Sequence, residues 1–259
     1  MWFIVAVLVL TPVVWALAGA PAVPGLGAWV AQHVPDLATG ATVPAGALVA
    51  SSLVGSLIGI GRARVTGVHV STLTHELGHG LAAALLGGRI DRIHTQRDGS
   101  GVAYTAMPGH RPLRRFVVSA AGYLSPGVLA LASMHAAVAG VAALWVAYLV
   151  AVIAVMLVLA IRSWWGLVVT VGLGGAGWAL VALAPDVVIV SLVAGLAGVL
   201  AGGGTTDAWQ QWRARFVRSG SDAASMAAQT GLPVGLFAGV HLLSAVVLAA
   251  ATLTVTFRP

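Results

Sequence analysis

Long apolar runs, each near the ~20 residues a helix needs to cross a hydrocarbon core, follow one another along most of this chain, and short segments between them hold its charge. In such a core every backbone N–H and C=O must be paired within the chain, so runs of this length span as helices. Composition agrees: 8% of the 259 residues are Asp, Glu, Lys or Arg. Soluble domains carry ~25%, so this chain lacks the polarity to cover a water-facing surface. An ordinary cytosolic enzyme and a disordered protein are both excluded. All 13 basic residues are Arg, clustered between the apolar runs. That pattern orients membrane proteins, and nucleic acid is not an expected partner. Cys is absent, which excludes a disulfide framework and a thiolate metal site.

The runs predict spans at about 1–20, 44–61, 65–86, 116–139, 141–161, 164–184, 187–203 and 232–255, the second of them weak. The expected fold is an all-α polytopic membrane protein of about seven to eight transmembrane segments, multi-pass in the cell membrane and surrounded by lipid bilayer. Met1 to Ala20 reads as an anchor rather than a signal peptide, because no basic residue precedes it and Pro21 follows its Ala-Gly-Ala. One integral membrane domain then covers 1–259: N-terminal segments 1–64, a core at 65–130, additional spans at 131–204 and a terminal part at 205–259. Gly55 with Gly59 and Gly198 with Gly202 offer small faces for close helix contact, or simply face lipid. Ten of the 13 Arg fall in the polar stretch 87–115, the turn 161–163 and a polar loop expected at 204–222, which predicts that these three regions share the inner side. Arg62 and Arg64 run against that assignment.

The chemistry concentrates in His75-Glu76-Leu77-Gly78-His79. On a helix the two His lie one turn apart on one face, so both imidazoles can reach one metal ion. Glu76 lies about 100° round from His75, placed to take a proton from water activated by that ion. Glu76 is the only Glu in the chain, and a carboxylate with two imidazoles inside a span is costly unless paired or metal-bound. Catalytic zinc takes three protein ligands, and two imidazoles with a carboxylate suit it. The acidic candidates are Asp36, Asp91, Asp98, Asp186, Asp207 and Asp222. Asp36 and Asp186 fall in connecting loops, Asp91 and Asp98 lie among Arg, and Asp207 follows a Gly run and is expected to be solvated. Asp222 is the strongest candidate, the alternative being that Ser221 or Asp222 simply caps the helix it opens. His79 lies about 12 Å below the inner end of its helix, and Asp222 approaches from that side.

Residues 92–96 and 101–105 flank Arg97-Asp98-Gly99-Ser100 and predict a β-hairpin. Its free edge could hold an extended peptide, or the hairpin could lie on anionic headgroups. His69, His135 and His241 are expected as interior polar contacts, and His33, His94 and His110 as loop residues. Trp164-Trp165 beside Arg162 fits an aromatic belt.

The intramembrane His-Glu-x-x-His, the hairpin directly after it and a late Asp opening another segment resemble the site-2 protease family of intramembrane zinc metalloproteases, in its small bacterial form without a PDZ insert. The resemblance covers about residues 65–130 and 220–245. It implies one zinc ion held by His75, His79 and Asp222, with Glu76 as general base, and a transmembrane protein substrate cut inside the membrane. Ala121-Gly122-Tyr123-Leu124-Ser125-Pro126-Gly127 occupies the place of the family's next core helix, which Pro126 would open for the site. Two positions differ from the better-known members. Asp222 is followed by Ala223 instead of Gly, and the chain has no Asn to stabilise an oxyanion, leaving Ser119, Tyr123, Ser125 or a His.

The expected function is therefore an intramembrane zinc metalloendopeptidase. The competing reading is a transporter-like or non-proteolytic bundle that uses the His/Glu cluster for cation or metal binding. A transporter should spread polar residues over several spans or show an internal repeat, and this chain does neither.

Overall fold

The computed structural model describes residues 43–60, 64–109, 111–214 and 220–257. In chain order these form α1 (Ala45–Ile60), α2 (Arg64–Leu85), β1 (Arg89–Thr95), β2 (Gly101–Ala106), α3 (Pro112–Val138), α4 (Ala142–Leu159), α5 (Trp164–Leu183), α6 (Asp186–Arg213), α7 (Asp222–Thr230) and α8 (Val234–Val255). Five of the helices, α3, α4, α5, α6 and α8, are long and apolar enough to cross a membrane, and α1 is a shorter apolar helix. The polar residues of the His-Glu-x-x-His segment hold α2 below that apolarity, although its 22 residues reach about 33 Å. The expected all-α polytopic membrane protein with one hairpin is what forms. The span expected at 1–20 lies outside the described residues, as do Asp36, His33 and His110.

Small residues set the closest helix contact. A Cβ on Gly55 would meet the backbone of Gly195, and one on Gly198 would meet the backbone of Ser52, so α1 and α6 touch main chain to main chain. Ser56 adds a hydrogen bond from its hydroxyl to Gly198 O at 3.2 Å. The Gly pairs are helix contacts, not lipid-facing positions, as expected where packing and not hydrophobicity drives association.

The sixth helix corrects one expectation. The segment after residue 203 was expected as a polar loop, but α6 continues through Gly204-Thr205-Thr206-Asp207 to Arg213. Thr205 and Thr206 return their hydroxyls to Ala201 O and Gly202 O, both at 2.8 Å, so the polar side chains are satisfied within the helix. Asp207 accepts a hydrogen bond from the Ser71 hydroxyl of α2 at 3.2 Å, so it packs between helices and does not stand in solvent.

Pro126 does not open α3, which runs without a break from Pro112 to Val138. A proline removes the donor for the carbonyl four residues back. Here the Ser125 hydroxyl stands in, 3.0 Å from Gly122 O and 2.9 Å from Thr74 O of α2.

The hairpin pairs in antiparallel register, with Ile93 opposite Ala103 and Thr95 opposite Gly101. It packs along α2. A Cβ on Gly88 would meet Ala83, Ile90 packs against Gly80, and Gly99 at the turn packs against Val68. The strands thus fold back along α2 from Ala83 to Val68, about 22 Å of helix. The Thr72 hydroxyl fixes the turn by donating to Gly99 O at 2.6 Å. The outer edge of β1 is closed by the turn between α4 and α5: Ile93 N donates to Ala160 O at 2.8 Å and Arg162 N to Ile93 O at 3.3 Å. Ser163 joins the same seam, accepting from Thr95 N and from Gly166 N, each at 3.1 Å, which also caps α5. The edge of β2 is left facing α2.

Candidate metal centre

His75 and His79 leave α2 on one face, as their spacing requires, and the ring of His79 fits there because α3 presents glycine opposite it. A Cβ on Gly122 would run into that imidazole. The His79 Nδ1–H donates to Val118 O of α3 at 2.7 Å. A carbonyl can only accept, so this bond fixes the tautomer and leaves the Nε2 lone pair facing inward.

Asp222 arrives from the N-terminus of α7. Ser221 is the residue that caps this helix, its hydroxyl accepting from Ala224 N at 3.2 Å. Asp222 is thereby free of capping and turns Oδ2 to 3.1 Å from both His75 Nε2 and His79 Nε2, which themselves stand 3.0 Å apart. Three lone-pair donors this close repel one another unless positive charge lies between them. Two imidazole nitrogens and one carboxylate oxygen form a donor set that suits zinc, so the residues fit that ion. Among the described residues this is the one set of three His, Cys, Asp or Glu close enough to hold a metal ion. Side-chain exposure falls from 25% at Asp222 through 21% at His75 to 10% at His79, so the cluster is reached from the α7 side.

Glu76 is buried, and its Oε2 accepts the Ala103 N–H of β2 at 2.6 Å. The carboxylate is thereby held against the free edge of the hairpin. A cavity of about 500 Å³ opens here, lined by His75, Glu76, His79 and Asp222, by Gly101, Ala103 and Thr105 of β2, and by Ser119, Gln211 and Ser221. The hairpin, α6 and α7 thus meet around one space.

Supporting contacts lie behind the cluster. The Tyr123 hydroxyl accepts the Ala223 N–H at 2.7 Å, anchoring the residue after Asp222. Tyr123 stacks on His241 with centroids 3.7 Å apart and lies tilted against His75 at 5.7 Å. His241 is therefore a buried support one layer out. His135 bonds Leu131 O of its own helix, and His69 accepts from Trp165 Nε1 at 3.3 Å. Neither joins the cluster.

The other acidic candidates stand elsewhere. Asp91 pairs with Arg89 at 2.8 Å, and Asp186 opens α6. Asp98 takes the Ser100 backbone N–H and hydroxyl, which hold its carboxyl below the usual range. Of the oxyanion candidates, Ser125 faces Thr74 on the far side of α2, and Ser119 lines the cavity with its hydroxyl 3.3 Å from Ser225 Oγ. Gln211, Val118 O and the Ala103 N–H had no signal in the sequence, because a main-chain donor or carbonyl carries no residue code. Gln211 was hidden inside a segment read as loop.

A family model described as Peptidase M50B-like matches residues 62–252, well over half of the chain and every element from α2 to most of α8. Comparison with curated proteins and with solved structures gave no match.

Proposed function

The chain belongs to the Peptidase M50B-like family of site-2-type membrane metalloproteases, and on that premise we propose that it is an intramembrane zinc endopeptidase with His75, His79 and Asp222 as ligands and Glu76 as general base. The observation that carries this reading is the convergence of the three ligand atoms within 3.1 Å beside a carboxylate that is not one of them. When bound, zinc supplies Lewis-acid polarisation of a carbonyl and makes water nucleophilic near neutral pH.

The chain's own residues do the rest. Glu76 accepts the water proton on the carboxylate whose Oε2 the Ala103 N–H already orients, and it delivers that proton to the leaving amine. Val118 O keeps His79 in the tautomer that a ligand needs. Gly101, Ala103 and Thr105 alternate along the β2 edge that faces the cavity; Glu76 holds the Ala103 N–H, and a substrate segment drawn out of its helix pairs with the remaining main-chain groups of that edge. The expected substrate is a transmembrane protein, since the cleft lies along a helix packed inside a membrane bundle.

Chelation tests the reading. A transmembrane peptide cleaved by the purified protein is expected to stop being cleaved after 1,10-phenanthroline treatment and to be cleaved again when zinc is returned. Cleavage that persists through complete metal removal would refute a metallopeptidase.

A further inference from the structure

A second cavity, of about 290 Å³, lies on the side of α2 away from the two histidines. Leu77 and Leu81 follow His75 and His79 by two residues, about 200° round the helix, and line it together with Leu85. Val128 of α3 and Leu149 of α4 close it, and Leu124, 41% exposed, stands at its rim. Among the described residues no charged side chain lines it. The Thr74 and Ser125 hydroxyls at its wall are already bonded, to Val70 O and to Thr74 O.

Its dimensions decide what fits. The cavity runs along α2 from Thr74 to Leu85, about 16 Å at 1.5 Å per residue. Its volume spread over that length gives a channel of about 18 Å² in section. A helix ~10 Å across needs about 80 Å², so neither a second copy nor a substrate enters as a helix. One hydrocarbon chain does fit. Apolar cavities stay dry, and ~150 Å³ already takes a benzene, so this one has room for about twelve methylene carbons. In a bilayer the hydrocarbon at hand is an acyl chain, and it restores the dispersion contacts that an empty space forfeits.

The Leu85 end carries the complement of a headgroup. Arg114 lies seven residues before Ala121, two turns along the same face of α3, and Ala121 lines the cavity. The Arg114 Nη1 donates to Leu86 O at 2.8 Å, which sets the guanidinium beside Leu85. That bond takes one of its five N–H groups, and the planar fork matches the oxygens of a phosphate.

We infer that this cavity is a phospholipid site, with one acyl chain between α2, α3 and α4 and the phosphate of an anionic headgroup on Arg114. The lipid backs the helix that carries both histidines, so α2 is held by hydrocarbon on the side away from the metal centre. Occupancy is independent of the metal and of the peptidase reading.

The test uses full-length protein in detergent, stripped of copurified lipid, and native mass spectrometry with dioleoyl phosphatidylglycerol and dioleoyl phosphatidylcholine. Wild-type protein is expected to bind one phosphatidylglycerol per chain about fivefold more tightly than phosphatidylcholine, the effect of one basic residue near an anionic lipid. Val128→Phe fills the channel and is expected to weaken phosphatidylglycerol binding at least about tenfold. Val171→Phe, at a position 53% exposed on α5, is expected to leave it unchanged. Arg114→Gln keeps a donor for Leu86 O and is expected to bind the two lipids alike. A phosphatidylglycerol with a diazirine in mid-chain is expected to label Leu77, Leu81 or Leu149 of the wild type, which decides the matter even if Val128→Phe does not fold. Labelling confined to other residues, unchanged binding in a folded Val128→Phe, or a headgroup preference that survives Arg114→Gln would overturn the inference. So would label displaced by a transmembrane peptide but not by excess phosphatidylglycerol, which would make the occupant a protein segment.

Discussion

Glu76→Gln is expected to lower the rate of peptide cleavage by about 10²- to 10⁴-fold, the range that a general base contributes, while zinc content and thermal stability stay at wild-type level. The amide keeps an oxygen for the Ala103 N–H, so the contact between α2 and β2 that Glu76 makes survives the change. What is lost is basicity, and nothing nearby replaces it. Asp222 is the other carboxylate lining the cavity, and its Oδ2 is engaged by both imidazoles. Single-turnover cleavage of a transmembrane peptide that the wild type cuts, with thermal unfolding alongside, checks this directly. A variant that keeps wild-type turnover would remove Glu76 from the chemistry.

The second large effect is expected at a residue that is neither ligand nor base. Gly122 gives His79 its space, and an added Cβ would fall on the imidazole. Because His79 is also tied through Nδ1 to Val118 O, the ring cannot turn aside without breaking that bond. Gly122→Ala is therefore expected to weaken zinc binding by about 10- to 100-fold, the scale seen when a ligand's supporting contacts are lost. Overpacking of this kind also costs ~1–3 kcal/mol of stability. Gly172→Ala in α5, where a Cβ meets nothing within 4 Å, is the matched control and is expected to leave zinc affinity unchanged. Competition with a fluorescent zinc chelator measures both variants.

The site was legible in the sequence where its chemistry depends on residue identity at short range. The His75 and His79 spacing dictates a shared helix face, Asp-Gly between two β-prone stretches signals the hairpin, and Ser221-Asp222 marks a helix start. The structure divides that last pair, with Ser221 capping and Asp222 reaching the imidazoles.

Long-range packing was not legible. Gly202-Gly203-Gly204 reads as a breaker in isolation, yet it continues α6 because Gly202 and Gly203 lie against Ser56 and Ser71 of neighbouring helices. Pro126 reads as a break, yet α3 continues because Ser125 takes over the stranded Gly122 carbonyl. The direction of the hairpin could not be read either, since it follows from Gly80, Gly88 and Gly99 packing against residues far from them in the chain or on another element. Gln211 reaches the cavity only because α6 extends that far.

The central claim is a three-ligand zinc site with a separate base, and metal content per chain tests it most directly. Wild-type protein purified in detergent is compared with Glu76→Gln, His79→Ala and Asp222→Ala by elemental analysis. About one zinc per chain is expected in wild type and in Glu76→Gln, and a large loss in the other two, since each removes one of three ligands. Zinc retained at wild-type level in Asp222→Ala, or no metal in the wild-type protein, would contradict the account.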